Sequence, residues 1–229
     1  MHIGFRLEVV VALIWGGHWL LTAPDTPLPD HLNPLEPLDL SQPAGALTSM
    51  KLRRAQSSGP TCRAALATGA AFEDMAPLVS DTVGCGIDTR VLLRRVGAVD
   101  IAPLETSCNA ALSLAAWEAY SLRSAAQTLG APIVRISHQG SYNCRPIRGG
   151  TRLSSHATAM AIDVRAVTLS DGRDLPLLGN WDGPDATARF WRAARDGACR
   201  WFTTVLGPEF NAAHADHLHL QSNGWGTCR

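Results

Sequence analysis

"SSHATAMAIDV", Ser154–Val164, sets one histidine seven residues ahead of one aspartate, and "HADHLHLQ", His214–Gln221, carries three of the chain's eight histidines. Ile162 and Val164 flank Asp163. The two-residue period of a strand therefore puts the carboxylate on the face opposite these apolar neighbours. The same rule puts His217, His219 and Gln221 on one face of the second stretch, and Leu218 and Leu220 on the other. Burying unpaired imidazoles costs free energy, whereas a metal ion uses their lone pairs. His156, Asp163 and one of the later histidines would supply two nitrogens and one carboxylate oxygen. That set suits one zinc ion, at roughly 2.0–2.2 Å per bond. Three protein ligands leave a fourth position for water, whose pKa zinc lowers to about 7. His217, Asp216 and His214 are the candidates to accept the proton. The competing reading is an exposed polar strand face and a loop histidine.

Around these stretches the chain alternates helices and short strands. "SCNAALSLAAWEAYSLRSAAQTLG" predicts a long core helix with Ser107 as N-cap and Gly130 just past its end. Leu112, Ala115, Ala119, Leu122, Ala126 and Leu129 form its apolar stripe. "PIVRIS" is β-branched and reads as a strand. Upstream, "TSMKLRRAQ" and "TCRAALATG" read as short helices, and "TVGCGI" and "VLLRRVGAV" as strands around a turn. "DGRDLPLLGNWDGPD" is rich in turns. "ATARFWRAARDGACRWFTTVLGP" predicts a second long helix stopped by Gly207-Pro208, with Trp191, Ala194, Ala198, Trp201, Phe202 and Val205 on one core face. The pattern predicts an α+β domain, with a small antiparallel sheet and helices mainly on one face.

The chain has 229 residues, with 20 basic and 20 acidic side chains. That balance provides no basic face for nucleic acid. Residues 1–23 place Arg6 before an apolar run, Val9 to Ala23, which reads as a signal peptide or an uncleaved N-terminal membrane anchor. The run is short for a full span and Glu8 and His18 weaken it further, while a poor cleavage site tilts the reading slightly to the anchor; a mispredicted start or a disordered tail is the remaining alternative. Residues 24–47 hold six of the fourteen prolines and predict a stiff extended linker before a domain over 48–229. Six cysteines with no C-x-x-C pair point to disulfides in an oxidising compartment. The pairing expected is Cys62–Cys85, Cys108–Cys144 and Cys199–Cys228.

"SSHATAMAIDV" also fits S-x-H-x-x-G-x-A-x-D at every position except Ala159. It thereby resembles the first zinc motif of D-alanyl-D-alanine carboxypeptidases, dipeptidases and murein endopeptidases, whose fold is shared with hedgehog signalling domains. "GSYNCRPIRGGTRLSSHATAMAIDV", "DGR" and "VLGPEFNAAHADHLHLQ" with a terminal "CR" resemble more closely the bacterial extensin-like carboxy-terminal domain family, over roughly Pro37–Arg229. The resemblance implies His156, Asp163 and His219 as ligands of one zinc ion. Asp216 stands where the dipeptidase pattern has a glutamate base. His214, His217 and His219 match the H-x-x-H-x-H of penicillin-insensitive murein endopeptidases. This favours His217 as base or transition-state partner, with His214 supporting it and Asp216 either a base or a group that orients a ring. The resemblance also implies a polar residue near "SYNCR" that holds substrate. Arg145 is the candidate for a substrate carboxylate, or else a structural arginine beside Cys144; Tyr142 and Ser141 are weaker candidates.

The function expected is an exported zinc-dependent peptidase acting on peptidoglycan peptides on the periplasmic side of the bacterial cell envelope. Membrane contact would come through the N-terminal segment, with no nucleic-acid partner. The alternatives are a catalytically inactive, metal-stabilised wall-binding module and a metal-free disulfide domain.

Overall fold

Val96 and Val99 face each other across a two-residue turn whose first member, Gly97, has φ 53°. Glycine takes that conformation without a Cβ clash, as such tight hairpins require. The turn joins β4 (Arg90–Val96) to β5 (Val99–Ser107), and β1 (Ala70–Asp74) adds to the outer edge of β4. β2 (Leu78–Val79) and β3 (Gly86–Ile87) form a separate two-stranded ribbon. Of "TVGCGI", only the Gly86–Ile87 part is strand. The computed structural model describes residues 2–229; Met1, the first residue of the expected export or anchor segment, lies outside them.

Beyond β5 the sheet continues with β6 (Ile133–His138), β7 (Ala161–Leu169), β10 (Leu218–Gln221) and β9 (Thr204–Leu206), in that spatial order. β8 (Asp174–Pro176) shares an edge of β7 with β10. This eight-stranded sheet corrects the expected small antiparallel one: it is larger, and β5 and β6 run parallel. A parallel pair needs a crossover rather than a hairpin, and the long helical segment between β5 and β6 is that crossover.

The crossover begins as expected, with the Ser107 hydroxyl accepting from the Ala110 N–H. It then changes pitch: α4 (Cys108–Trp117), a π turn at Glu118–Leu122, α5 (Arg123–Ala125) and a 3₁₀ turn at Ala126–Leu129, with Gly130 left-handed at φ 76°. The predicted stripe is buried except Ala119, which is half-buried. Trp117 donates its indole N–H to Ala194 O, which ties α4 to α6 (Ala186–Ala198). α6 starts where Asp185 caps the Ala188 N–H, and it ends at Ala198. The expectation of a helix through Val205 is corrected. The β-branched residues after Phe202 extend into β9, while Trp201, Phe202 and Val205 remain buried as foreseen. α2 (Thr48–Ala55) and α3 (Gly59–Ala67) complete the helical layer.

Residues 24–47 do not behave as a free spacer. Leu38 and Leu40 are buried in the core, Leu40 N–H donates to Thr68 Oγ1 at 2.8 Å, and Tyr120 OH donates to Asp39 O at 3.2 Å. Lys51 Nζ, itself buried, donates to Asp30 O at 2.6 Å. The expected extension is corrected: the segment turns repeatedly, with a 3₁₀ turn at Asp30–Leu32, and its interspersed leucines fasten it down as a strap. Ahead of it runs α1 (His2–Thr22); among the described residues no helix is long and apolar enough to cross a membrane.

The disulfides are Cys62–Cys108, Cys85–Cys144 and Cys199–Cys228. The expected Cys62–Cys85 and Cys108–Cys144 pairs are therefore wrong, while Cys199–Cys228 forms as expected. Neighbours along the sequence are not neighbours in space here: Cys62 on α3 faces Cys108, the first residue of α4.

Candidate metal centre

β10 and β7 are antiparallel, with His219 directly opposite Asp163. Leu218 and Leu220, with Ile162 and Val164, enter the core from the other face. The alternation read from both stretches thus places a carboxylate and an imidazole side by side on the face away from the core. Ser154 opens the 3₁₀ turn Ser155–Thr158, which carries His156, buried, onto that same spot. Ala159 ends the turn in the left-handed region, φ 50°, and is the only non-glycine residue with positive φ among the described residues. A left-handed turn is what the glycine of the resembled motif would provide without strain.

The three side chains converge. His156 Nε2 lies 3.1 Å from His219 Nδ1 and 3.2 Å from Asp163 Oδ2, and His219 Nδ1 lies 2.9 Å from Asp163 Oδ1. One donor atom from each can be chosen so that all lie within 4.8 Å of one another. A tetrahedral ion with bonds of about 2.0–2.1 Å separates its ligand atoms by about 3.3 Å, close to what is seen.

The surroundings assign the protons. His156 Nδ1 is 2.7 Å from Ser141 O, a pure acceptor, so Nδ1 carries the hydrogen and Nε2 the lone pair. Gln221 donates through Nε2 to Asn223 O at 2.8 Å, which turns its Oε1 toward His219 Nε2 at 3.1 Å and Ser155 Oγ at 2.9 Å. His219 therefore donates from Nε2 and presents the lone pair of Nδ1. Neutral rings aim two lone pairs and a carboxylate at one point with no proton among them. Such a set could hold a cation, and outer partners that fix the tautomers are typical of metal-binding histidines. The residues fit zinc. Burial opposes charge on both His156 and Asp163, yet their mutual attraction outweighs it, raising the histidine pKa and holding the carboxyl well below its usual range.

His217 stands next to this cluster, buried, with Nε2 3.6 Å from Asp163 Oδ1. Its Nδ1 is 2.8 Å from Asp216 Oδ1, and Asp216 Oδ2 accepts from Gln139 Nε2 at 2.8 Å. The bond with His217 is the main cause of the lowered Asp216 pKa. Both Asp216 oxygens are engaged, one with the His217 ring and one with Gln139. His214 packs its ring 5.2 Å from His217 and 5.8 Å from His219, with Nδ1 held by Asn211 Oδ1 at 2.8 Å. Burial, then the neighbouring imidazoles, pull its pKa down to about 4, which keeps it neutral at pH 7.

The expected substrate residues separate. Ser141 is buried, with Oγ 2.7 Å from both Thr106 Oγ1 and Ala161 O, while its carbonyl holds His156. Its hydroxyl is thus engaged inside the protein, and its carbonyl orients the His156 ring. Tyr142 is half-buried and Arg145 is exposed. Arg145 lies near enough that its charge opposes protonation of His156. Gln139, Ser155 and Ser141 as positioning groups had no signal in the sequence. Gln221 did have one, its place on the histidine face of β10.

Fold and site together define an α+β domain with a preformed His–Asp–His cluster suited to one cation. The chain belongs to the family described as "Extensin-like protein C-terminus", which it matches over residues 60–229. No curated protein matches it, and no solved structure does.

Proposed function

We propose that this protein is an exported, zinc-dependent peptidase that acts on peptidoglycan peptides on the periplasmic side of the bacterial cell envelope. The observation that carries the reading is the convergence of His156, Asp163 and His219 beside the His217–Asp216 pair. The kinship to zinc peptidases with the hedgehog-type fold belongs to this proposal, as do the envelope location and the peptide substrate. Three disulfides with no free cysteine favour an oxidising compartment.

When bound, zinc would supply Lewis acidity toward a carbonyl and a water that deprotonates near neutral pH. His156, Asp163 and His219 would hold it. His217 gives its Nδ1 hydrogen to Asp216, so its Nε2 lone pair is free to take a proton at the cluster's edge. Asp216, steadied by Gln139, stabilises the imidazolium that results. The neutral His214 ring packs against His217 and His219 and limits water there. Arg145 would take a substrate carboxylate.

The test is digestion of purified muropeptides by zinc-loaded protein, with chelator and with His217→Ala as controls. Chelator-sensitive products that His217→Ala loses by a hundredfold or more support the reading. Retention on sacculi by both forms with no product from either would instead favour the inactive wall-binding module.

A further inference from the structure

The chain between Asn143 and His156 forms a two-stranded ribbon that begins at the metal cluster. Asn143 N–H donates to His156 O at 2.9 Å, Ser154 N–H to Arg145 O at 3.0 Å, and Ile147 N–H to Arg152 O at 2.9 Å, with Pro146 bridging Leu153. These contacts keep one register from base to tip. The turn at residues 148–151 contains Gly149 at φ 80°.

In such a ribbon, directly opposed residues share a face and successive residues alternate. Cys144 and Leu153 fall on one face. That face is partly covered: Cys144 is bonded to Cys85, and Leu153 lies where a Cβ on Gly84 would collide with it, while Pro146 is exposed. Arg145, Ile147, Arg152 and Ser154 fall on the other face, and Arg145, Ile147 and Arg152 are exposed. At about 3.3 Å per residue, Arg145 stands about 7 Å out from the Asn143–His156 pair and Arg152 about 13 Å out. Arg145, Arg148 and Arg152 form no ion pair among the described residues. No acidic residue occurs between Gln139 and Ile162. A bare cationic row that starts at a metal cluster and runs along extended backbone matches an extended acidic peptide.

We propose that this ribbon is a substrate-reading arm on which Arg145 and Arg152 bind two carboxylates spaced two residues apart in an extended peptide, with Ile147, level with Arg152, against the aliphatic stem of the second acidic residue. The assignment rests on the peptidase reading for its direction and narrows the substrate to peptides with that carboxylate spacing. Arg152 is the element it adds.

The experiment measures binding, independent of turnover. A dye-labelled extended peptide with glutamates at i and i+2, and its partner with glutamine at i+2, are titrated by fluorescence anisotropy against the zinc-loaded full chain carrying His217→Ala. The diacid should bind about three- to tenfold more tightly than the glutamine form. Arg152→Gln should remove that difference while a thermal melt stays unchanged, and Arg145→Gln should weaken both peptides. Equal binding of the two peptides, no binding of either, or Arg152→Gln leaving the difference intact would each overturn the proposal. So would loss of polyphosphate binding in Arg152→Gln with peptide binding unaltered, which would make the arm a polyanion surface. Selective binding without hydrolysis by the zinc-loaded wild type would sink the peptidase reading and leave the arm standing; hydrolysis indifferent to the second carboxylate would do the reverse.

Discussion

Replacing Gln221 by leucine isolates what the outer partners of the cluster contribute. The two side chains are close in size, and the β10 backbone at this position is already paired with Ala161 and Thr204. The sheet should therefore survive. What disappears is the acceptor 3.1 Å from His219 Nε2 and its anchors at Ser155 Oγ and Asn223 O. Without it, the Nε2 hydrogen loses a hydrogen bond worth about 1–1.5 kcal/mol, and the tautomer that points its lone pair away from Asp163 becomes competitive. The ring is also freer to swing. Loss of such a partner typically lowers metal affinity about 10–100-fold, or about 1.4–2.7 kcal/mol. Zinc affinity would be measured by competition with a chromophoric chelator, beside His156→Ala, which should abolish tight binding. If Gln221→Leu holds zinc within twofold of wild type while His156→Ala does not, the tautomer argument is wrong.

Ala159→Gly relieves a left-handed alanine, worth about 1 kcal/mol, but deletes a buried methyl worth about 0.8 kcal/mol. The net change in urea-unfolding stability should stay within about 0.5 kcal/mol, and a loss above 2 kcal/mol would show that the methyl packs far more tightly than its conformation costs. Replacing Cys199 and Cys228 by serine opens a loop with a sequence separation of 29, and the chain-entropy relation gives a loss of about 3–4 kcal/mol, to be read from a denaturant melt. Burial raises the Glu118 pKa against the opposing Arg123 bond. The folded state then holds this proton more firmly than the unfolded chain, so Glu118's contribution to stability is fully present below about pH 4.5 and falls as pH rises through the elevated folded value. Glu118→Gln, compared with wild type by melts at pH 4 and pH 7, should accordingly look relatively better at pH 7, and the opposite trend would refute the assignment.

The sequence displayed the site better than the scaffold, for physical reasons. Strand alternation is strict, so Asp163 and His219 could be placed on the face away from the core without knowing which strands pair. His156 was visible only through its motif, because a 3₁₀ turn has no periodic signature. The long segment after Ser107 was legible at both ends through its cap and its glycine, but the π turn at Glu118 was not, since a one-residue change of pitch leaves the apolar stripe intact. Trp201, Phe202 and Val205 were rightly assigned to the core and wrongly to a helix: their spacing suits either a helix or a turn entering a strand. Prolines at 24–47 spoke for extension and concealed the leucines that bind the strap. Disulfide pairing depends on which helices pack, and Cys62 and Cys108 meet only because α3 lies on α4.

β9 would be the outer border of the sheet, yet the last residues run beside it: Val205 N–H donates to Thr227 O at 2.7 Å, Arg229 N–H to Val205 O at 2.9 Å, and Gly207 N–H to Arg229 O at 2.7 Å. Strand borders left bare tend to recruit a copy of themselves. Removing residues 227–229 should thus bare that border, and with it the Cys199–Cys228 bond, and favour edge-to-edge pairing of one copy with another.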